Sequence, residues 1–355
     1  MWKEIKRDTY TLDFDEPTIF VDNKAKKRSG HMSHAMVPIG ENKMLDFYSN
    51  CSAVRSSGHS VYGWIEYKIS EDNGETYGEE IEFPYSKQAF LDGEFIVSVE
   101  KAVTCDNGNI VAFCLRNLGK LCMPWDTPTA IISNDGGKTW AKPIEVSTYK
   151  GRIYDALYHE GVIYVLQFCN DGEETWLGKN EEHVYRIFVS RDNGLSFEEM
   201  CIVPFESTIR RGYGAMLFDY EGNLHVYAYH VDAEHDMDHI VSRDVGKTFE
   251  KSDTCYLEKG MRNPQIEKID GVYIMHGRAE KETGFVIYSS LDAVNWDEGE
   301  YLAEVKGLCY YSNNVVLKSP DGGNRLLIQY SEKFEADTNC VNIKHVFMRV
   351  KRSER

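Results

Sequence analysis

Glu100, Asp155 and Tyr311 are the residues of this chain whose types and positions could do chemistry together. Arg116, Arg211, Arg262, Arg278, His34, His230 and Glu332 form a polar set of matching placement. Each stands near the start of an apolar stretch or at the end of the next one. Two carboxylates across a pocket are what glycoside hydrolysis needs, one as acid and one as base or nucleophile. Arginines can hold a substrate carboxylate through paired N–H groups. Trp125 in CMPWDTP and Trp176 in EETWLGK offer faces on which sugar edges can stack.

What must position these residues is legible in a repeated phrase. It reads SEDNGETY at Ser70–Tyr77, SNDGGKTW at Ser133–Trp140, SRDNGLSF at Ser190–Phe197 and SRDVGKTF at Ser242–Phe249. A worn copy, SLDAVNW, spans Ser290–Trp296. The pattern Ser-x-Asp-x-Gly-x-(Thr/Ser)-aromatic is turn chemistry. Ser and Asp bond turn backbone, Gly supplies positive φ, and the aromatic covers the turn. The box aspartates, Asp72, Asp135, Asp192, Asp244 and Asp292, are 48 to 63 residues apart. That period suits one four-stranded blade with its loops.

Between boxes a second pattern recurs: a strand, an acidic-Gly turn and another strand. Examples are KAVTCDNGNIVAFCL (Lys101–Leu115) and GAMLFDYEGNLHVYAY (Gly214–Tyr229). Six such hairpins, rich in Val, Ile, Tyr and Phe, run along the chain. The spacing predicts an all-β chain, a single domain over 1–355 forming a six-bladed β-propeller of four-stranded antiparallel blades. The sixth unit ends in VNIKHVFMRV with no box, and TYTLDF (Thr9–Phe14) is spare. The N-terminal strand is therefore expected to complete the last blade and close the ring. Boxes lie between the third and fourth strands, so the site belongs to the opposite face. Glu100, eight residues before Gly108, is expected at the start of its inner strand.

Composition bounds the function. A formal net charge of −17 disfavours nucleic acid and anionic membrane as partners. No apolar run is long enough to span a bilayer, and the N-terminus lacks a signal-like apolar core. Nine scattered cysteines without CxxC or zinc spacing read as reduced thiols of a cytoplasmic protein. No cofactor is expected. HVDAEHDMDH (His230–His239) could in principle hold a metal, but it lacks a ligand spacing and reads as a solvated acidic loop.

The boxes resemble the Asp-boxes, or BNR repeats, of the sialidase superfamily. The segment CYYSNNVVLKSPDGGNRLLIQYSE is similar to that family's Tyr-Ser strand and its closing Tyr-Glu. The resemblance implies a sialidase-like propeller acting on a carbohydrate. It implies a tyrosine nucleophile, at Tyr311, assisted by a Glu, with an Asp acid/base and three carboxylate-binding arginines. The sequence departs from that set. Ser33 and His34 stand where the first Arg belongs, Cys51–Tyr67 contains no Asp, and RRGYGAM contains no acid. Glu100 and Asp155 are therefore the expected acid and base, or nucleophile, with Tyr311 and the arginines orienting the substrate. The expectation is an exo-glycosidase removing a terminal, acidic sugar. The alternatives are a polysaccharide lyase, using His34 or His276 with Tyr311, and a carbohydrate-binding propeller without turnover.

Overall fold

The computed structural model describes residues 2–30, 35–52, 62–118, 125–170, 183–206, 208–304, 310–335 and 340–352. Six antiparallel sheets form six blades. Their inner strands are Met36–Gly40, Phe95–Thr104, Gly151–His159, Arg211–Phe218, Arg262–Ile269 and Ser312–Lys318. Each packs against the next, and the sixth returns to the first. The second strands are Lys43–Ser52, Ile110–Leu118, Val162–Asn170, Leu224–His230, Val272–Arg278 and Asn324–Lys333. Third strands end in the boxes, as at Thr129–Ser133 and Asp236–Ser242.

The sixth blade is closed by the N-terminus. Tyr10–Phe14 pairs with Val341–Arg352, matching Tyr10 to Arg352 and Phe14 to Met348. Lys3–Lys6 then adds an outer strand, and Thr18–Val21 pairs with the same long strand nearer its start. Among the described residues no helix is long and apolar enough to cross a membrane.

The boxes form the turns their residues dictate. In the second blade Ser133 Oγ donates to Asp135 Oδ1 at 2.8 Å and accepts from Gly137 N at 2.9 Å. Thr139 Oγ1 donates to Asp135 Oδ2 at 2.5 Å. The box glycine has a second task beyond its φ. A Cβ at Gly194 would lie 2.6 Å from Val111, and one at Gly137 would lie 2.5 Å from Leu45, both on the preceding blade. The box aromatic also reaches back. Trp140 packs edge-on against Phe83, 5.1 Å between centroids, and against Tyr67 of blade one. Phe197 meets Phe113 of blade two. The aromatic thus staples its blade to the previous one as well as covering its own turn.

Separate apolar clusters fill the seams between consecutive blades. The seam between blades six and one has a small cluster, Met36, Met44, Val315, Leu317 and Leu327. Polar bonds supplement it. His345 Nε2 lies 3.0 Å from the fully buried Asp46. Arg325, also buried, pairs with Glu75 and donates to Asn73 O at 2.9 Å.

Candidate active site

Inner-strand starts and second-strand ends meet on the face opposite the boxes. Four inner strands carry an irregularity there. Register slips between Lys101 and Val99, between Ile153 and Asp155, between Arg211 and Gly214, and between Arg262 and Gln265. The unpaired residues include Glu100, Tyr154, Tyr213 and Asn263. A bulge re-aims a side chain out of the strand's alternation, and these four lie among the polar and aromatic groups where inner-strand starts and second-strand ends meet, the region that is the upper cup of the candidate site. The residues just past the bulges meet lower, on the axis. Lys101 Nζ donates to Gln265 Oε1 at 2.6 Å and to Asn313 Oδ1 at 2.8 Å, and lies 3.1 Å from Asp155 Oδ1. One lysine thus ties blades two, three, five and six together.

Glu100 is mid-strand, five residues after the strand begins at Phe95, not at its start. Counting back from the turn missed this because the inner strand extends past the bulge. Glu100 Oε2 accepts from Arg152 Nε at 2.9 Å and Nη2 at 2.6 Å. Its side chain is 9% exposed, and Oε1 is buried with no hydrogen-bond partner among the described residues. Arg152 also donates to the Tyr213 hydroxyl and lies 4.5 Å from that ring's centroid. Tyr213 stacks on Tyr154 at 4.5 Å and stands 6.1 Å from Tyr311. The Arg278 guanidinium caps the Tyr311 ring at 4.7 Å. The result is a continuous aromatic and cationic platform contributed by blades three to six.

Electrostatics follow from burial. Burial pushes the Tyr154 and Tyr213 hydroxyls well above the ordinary phenol range, against the pull of Arg152, so both are neutral donors near pH 7. Burial alone would make Arg152 a weaker cation, but the Glu100 carboxylate and the surrounding phenols raise it.

Asp155 is engaged elsewhere. Its Oδ1 accepts from Ala156 N at 2.9 Å and its Oδ2 from Met216 N at 2.8 Å. With Lys101 also on Oδ1, it locks the third and fourth inner strands together, below the cup. The expected acid/base pair across open space is therefore replaced by one carboxylate in the cup and one in the frame.

The remaining residues divide likewise. Arg211 pairs with Asp238 at 2.6 Å from Nε and donates to Ile209 O at 3.1 Å. His230 Nε2 lies 2.9 Å from the other oxygen of Asp238. Arg262 stands 3.5 Å from Glu234 and bonds the Tyr229 hydroxyl. Arg278 donates to Asn263 Oδ1 at 2.9 and 3.1 Å. Arg116 donates to Thr127 O at 2.8 Å and lies 3.2 Å from Asp126. Glu332 pairs with Lys344 across the strands of blade six. Trp125 is 6% exposed and packs edge-on against Phe168, so its indole belongs to the core rather than to a sugar platform. His34 and Trp176 lie outside the described residues. His276, the lyase candidate, is fully buried between Ser312 Oγ at 3.0 Å and Asn314 Nδ2 at 2.8 Å. Burial lowers it to about 3, with Lys101 helping. It has no route to a substrate proton.

The His230–His239 run is not gathered into one site. His230 faces Asp238, His235 lies 3.0 Å from Glu280, and His239 Nε2 faces His225 Nδ1 at 2.9 Å. Among the described residues no group of three or more His, Cys, Asp or Glu could hold a metal ion.

Arg152, the partner of Glu100, is not among the residues that the sequence singles out. Alternation along RIYDAL puts Arg152 and Tyr154 on one face, and that was the available signal. The bulge then displaces Asp155 from the register that alternation assigns it.

Residues 131–142, the second box, match the family described as BNR/Asp-box repeat. No curated protein matches the chain. Among solved structures, a protein of unknown function from Dyadobacter fermentans aligns with a TM-score of 0.74 at 14% identity, over 96% of this chain and 99% of that one. A Hadza microbial sialidase aligns with a TM-score of 0.70 at 13% identity, over 95% and 68%. The NanB sialidase from Streptococcus pneumoniae aligns with a TM-score of 0.64 at 10% identity, over 95% and 70%. Its ring of six blades and its likeness to these structures give this chain a sialidase-like β-propeller fold, and residues 131–142 carry a BNR/Asp-box repeat.

Proposed function

We propose that the chain hydrolyses the bond to a terminal sugar held in the upper cup. The observation that carries this reading is Glu100, a buried carboxylate with one oxygen fixed by Arg152 and the other without a partner among the described residues. Ion-paired with Arg152, Glu100 is suited to act as base. Glu100 Oε1 takes a proton from water as the water oxygen bonds to the anomeric carbon. The glycosidic oxygen leaves and takes its proton from the Tyr311 hydroxyl. Tyr311 recovers a proton from Glu100 through solvent, which closes the cycle. Arg152 and Tyr213 hold Glu100 and Tyr311 in place.

The test is a screen of sialosides, uronides and neutral aryl glycosides, with products followed by mass. Glu100→Gln is expected to cut product formation at least about a hundredfold while sugar binding persists. Turnover by the folded variant at wild-type rate rejects the assignment.

A second reading, a carbohydrate-binding propeller without turnover, draws support from Asp155, whose oxygens are committed to backbone amides. It predicts saturable sugar binding by the unmodified protein and no product from any glycoside.

A further inference from the structure

Four of the five arginines named on the site face, one each from blades two to five, come with a carboxylate already in place; the fifth, Arg278, donates to Asn263 Oδ1 and caps the Tyr311 ring. Arg116 has Asp126, Arg152 has Glu100, Arg211 has Asp238 and Arg262 has Glu234. Two of these pairs are almost wholly buried. Side-chain exposure is 5% and 9% for Arg152 and Glu100, and 4% and 3% for Arg211 and Asp238. A buried partner of this kind is not displaced by an incoming ligand, because its own charge would be stranded. A sugar carboxylate approaching any of these guanidiniums meets the resident carboxylate at close range, where like charges repel. The chain's net charge of −17 opposes the same approach from a distance.

The buried polar atoms without a partner among the described residues include two from the inner-strand bulges of the cup: Glu100 Oε1, an acceptor, and Asn263 Nδ2, a donor. A sugar hydroxyl both donates and accepts, so it can satisfy an acceptor and a donor. A carboxylate only accepts, and it would face Glu100 Oε1 with like charge. The phenols of Tyr213 and Tyr311 add hydroxyl-matching groups and apolar faces for the sugar ring.

We infer that the upper cup recognises a neutral sugar through its hydroxyl groups, rather than a sialic acid or uronic acid through its carboxylate. The inference rests on the proposal that the cup binds a sugar, and it reverses the expectation of an acidic one.

The test uses the full chain and matched probes that differ at the carboxylate: methyl glucoside against methyl glucuronide, methyl galactoside against methyl galacturonide, and a methyl sialoside against its methyl ester. Binding is read by saturation-transfer NMR and calorimetry. In at least one pair the neutral member is expected to bind about tenfold more tightly. Tighter binding of the acidic members, or equal binding, overturns the inference while leaving the sugar cup standing. No binding by any probe at millimolar concentration overturns both.

Glu234→Gln supplies a second measurement, because it removes the carboxylate that stands 3.5 Å from Arg262. It is expected to improve acidic-probe binding about threefold relative to the neutral partner. An unchanged ratio in folded protein overturns the compensation argument.

Discussion

Lys101 Nζ lies 3.1 Å from Asp155 Oδ1 on the propeller axis, one residue past the bulge that carries Glu100. Neighbouring residues of one strand thereby serve opposite purposes. Glu100 belongs to the cup, and Lys101 holds the frame under it. Asp155→Ala removes the acceptor for two backbone amides and leaves Lys101 short of its counter-charge. The expected loss is about 3–5 kcal/mol in denaturant unfolding. Asp155→Asn keeps part of the hydrogen bonding and loses less. If the folded Asp155→Asn protein keeps its sugar affinity, the lock assignment stands; selective loss of affinity at full stability refutes it.

Glu100 and Arg152 should behave differently from Asp155. Glu100→Gln is expected to cut turnover at least about a hundredfold and, by leaving the buried Arg152 guanidinium without its carboxylate, to lower stability as well. Arg152→Met strands the Glu100 carboxylate and also releases Tyr213, so it should lose both activity and stability. Equal, small effects from the two substitutions would separate Glu100 from the chemistry.

Two glycines of the box turns offer a stability contrast: Gly194 fills the pattern's Gly position, and Gly136 the x position just before it. Gly194 has φ +92° and a Cβ there would strike Val111 at 2.6 Å, whereas Gly136 has φ +75° and open space. Gly194→Ala is expected to cost about 3 kcal/mol, from backbone strain and forced repacking together. Gly136→Ala should cost about 1 kcal/mol, from the backbone alone. Equal costs in chemical denaturation would show that the box glycine serves φ only.

The closing seam should be sensitive to its buried pair. His345→Ala leaves Asp46 buried without the imidazole 3.0 Å away. Burial already pushes the Asp46 carboxyl up, with His345 pulling it back. A loss of about 3–5 kcal/mol is expected, measured by urea unfolding. A change under half a kcal/mol, roughly the level of a surface substitution, would contradict the seam's dependence on this pair.

Acid should unfold the protein in two stages. Burial and its neighbour His225 hold His239 down at about 4, and burial holds His276 at about 3. Folded values below 6.5 give stability that is fully present above pH 6.5 and is lost as pH falls toward them. The box aspartates act lower. Thr139 holds Asp135 at about 2 and Thr248 holds Asp244 at about 2, so their contribution is present above about pH 4 and lost as pH falls through 2. The melting temperature is expected to decline below pH 6.5 and more steeply below 4. Asp135→Asn should soften the second stage. A melting temperature constant down to pH 3 would contradict both.

The sequence by itself determined the architecture. Box turns are local: Ser, Asp, Gly and Thr bond within a few residues, so their pattern marks each blade without reference to the rest of the chain. The spare strand Thr9–Phe14 was legible for the same reason, as a strand whose blade lacked one. Only the tertiary structure decided the site. A bulge inserts one residue against its partner strand, so a slip of one position exchanges cup and frame. That slip placed Asp155 on backbone amides and brought Arg152 to Glu100 across a blade boundary. The pairing of Arg152 with Glu100 depends on contact between segments 52 residues apart, and no local pattern encodes it.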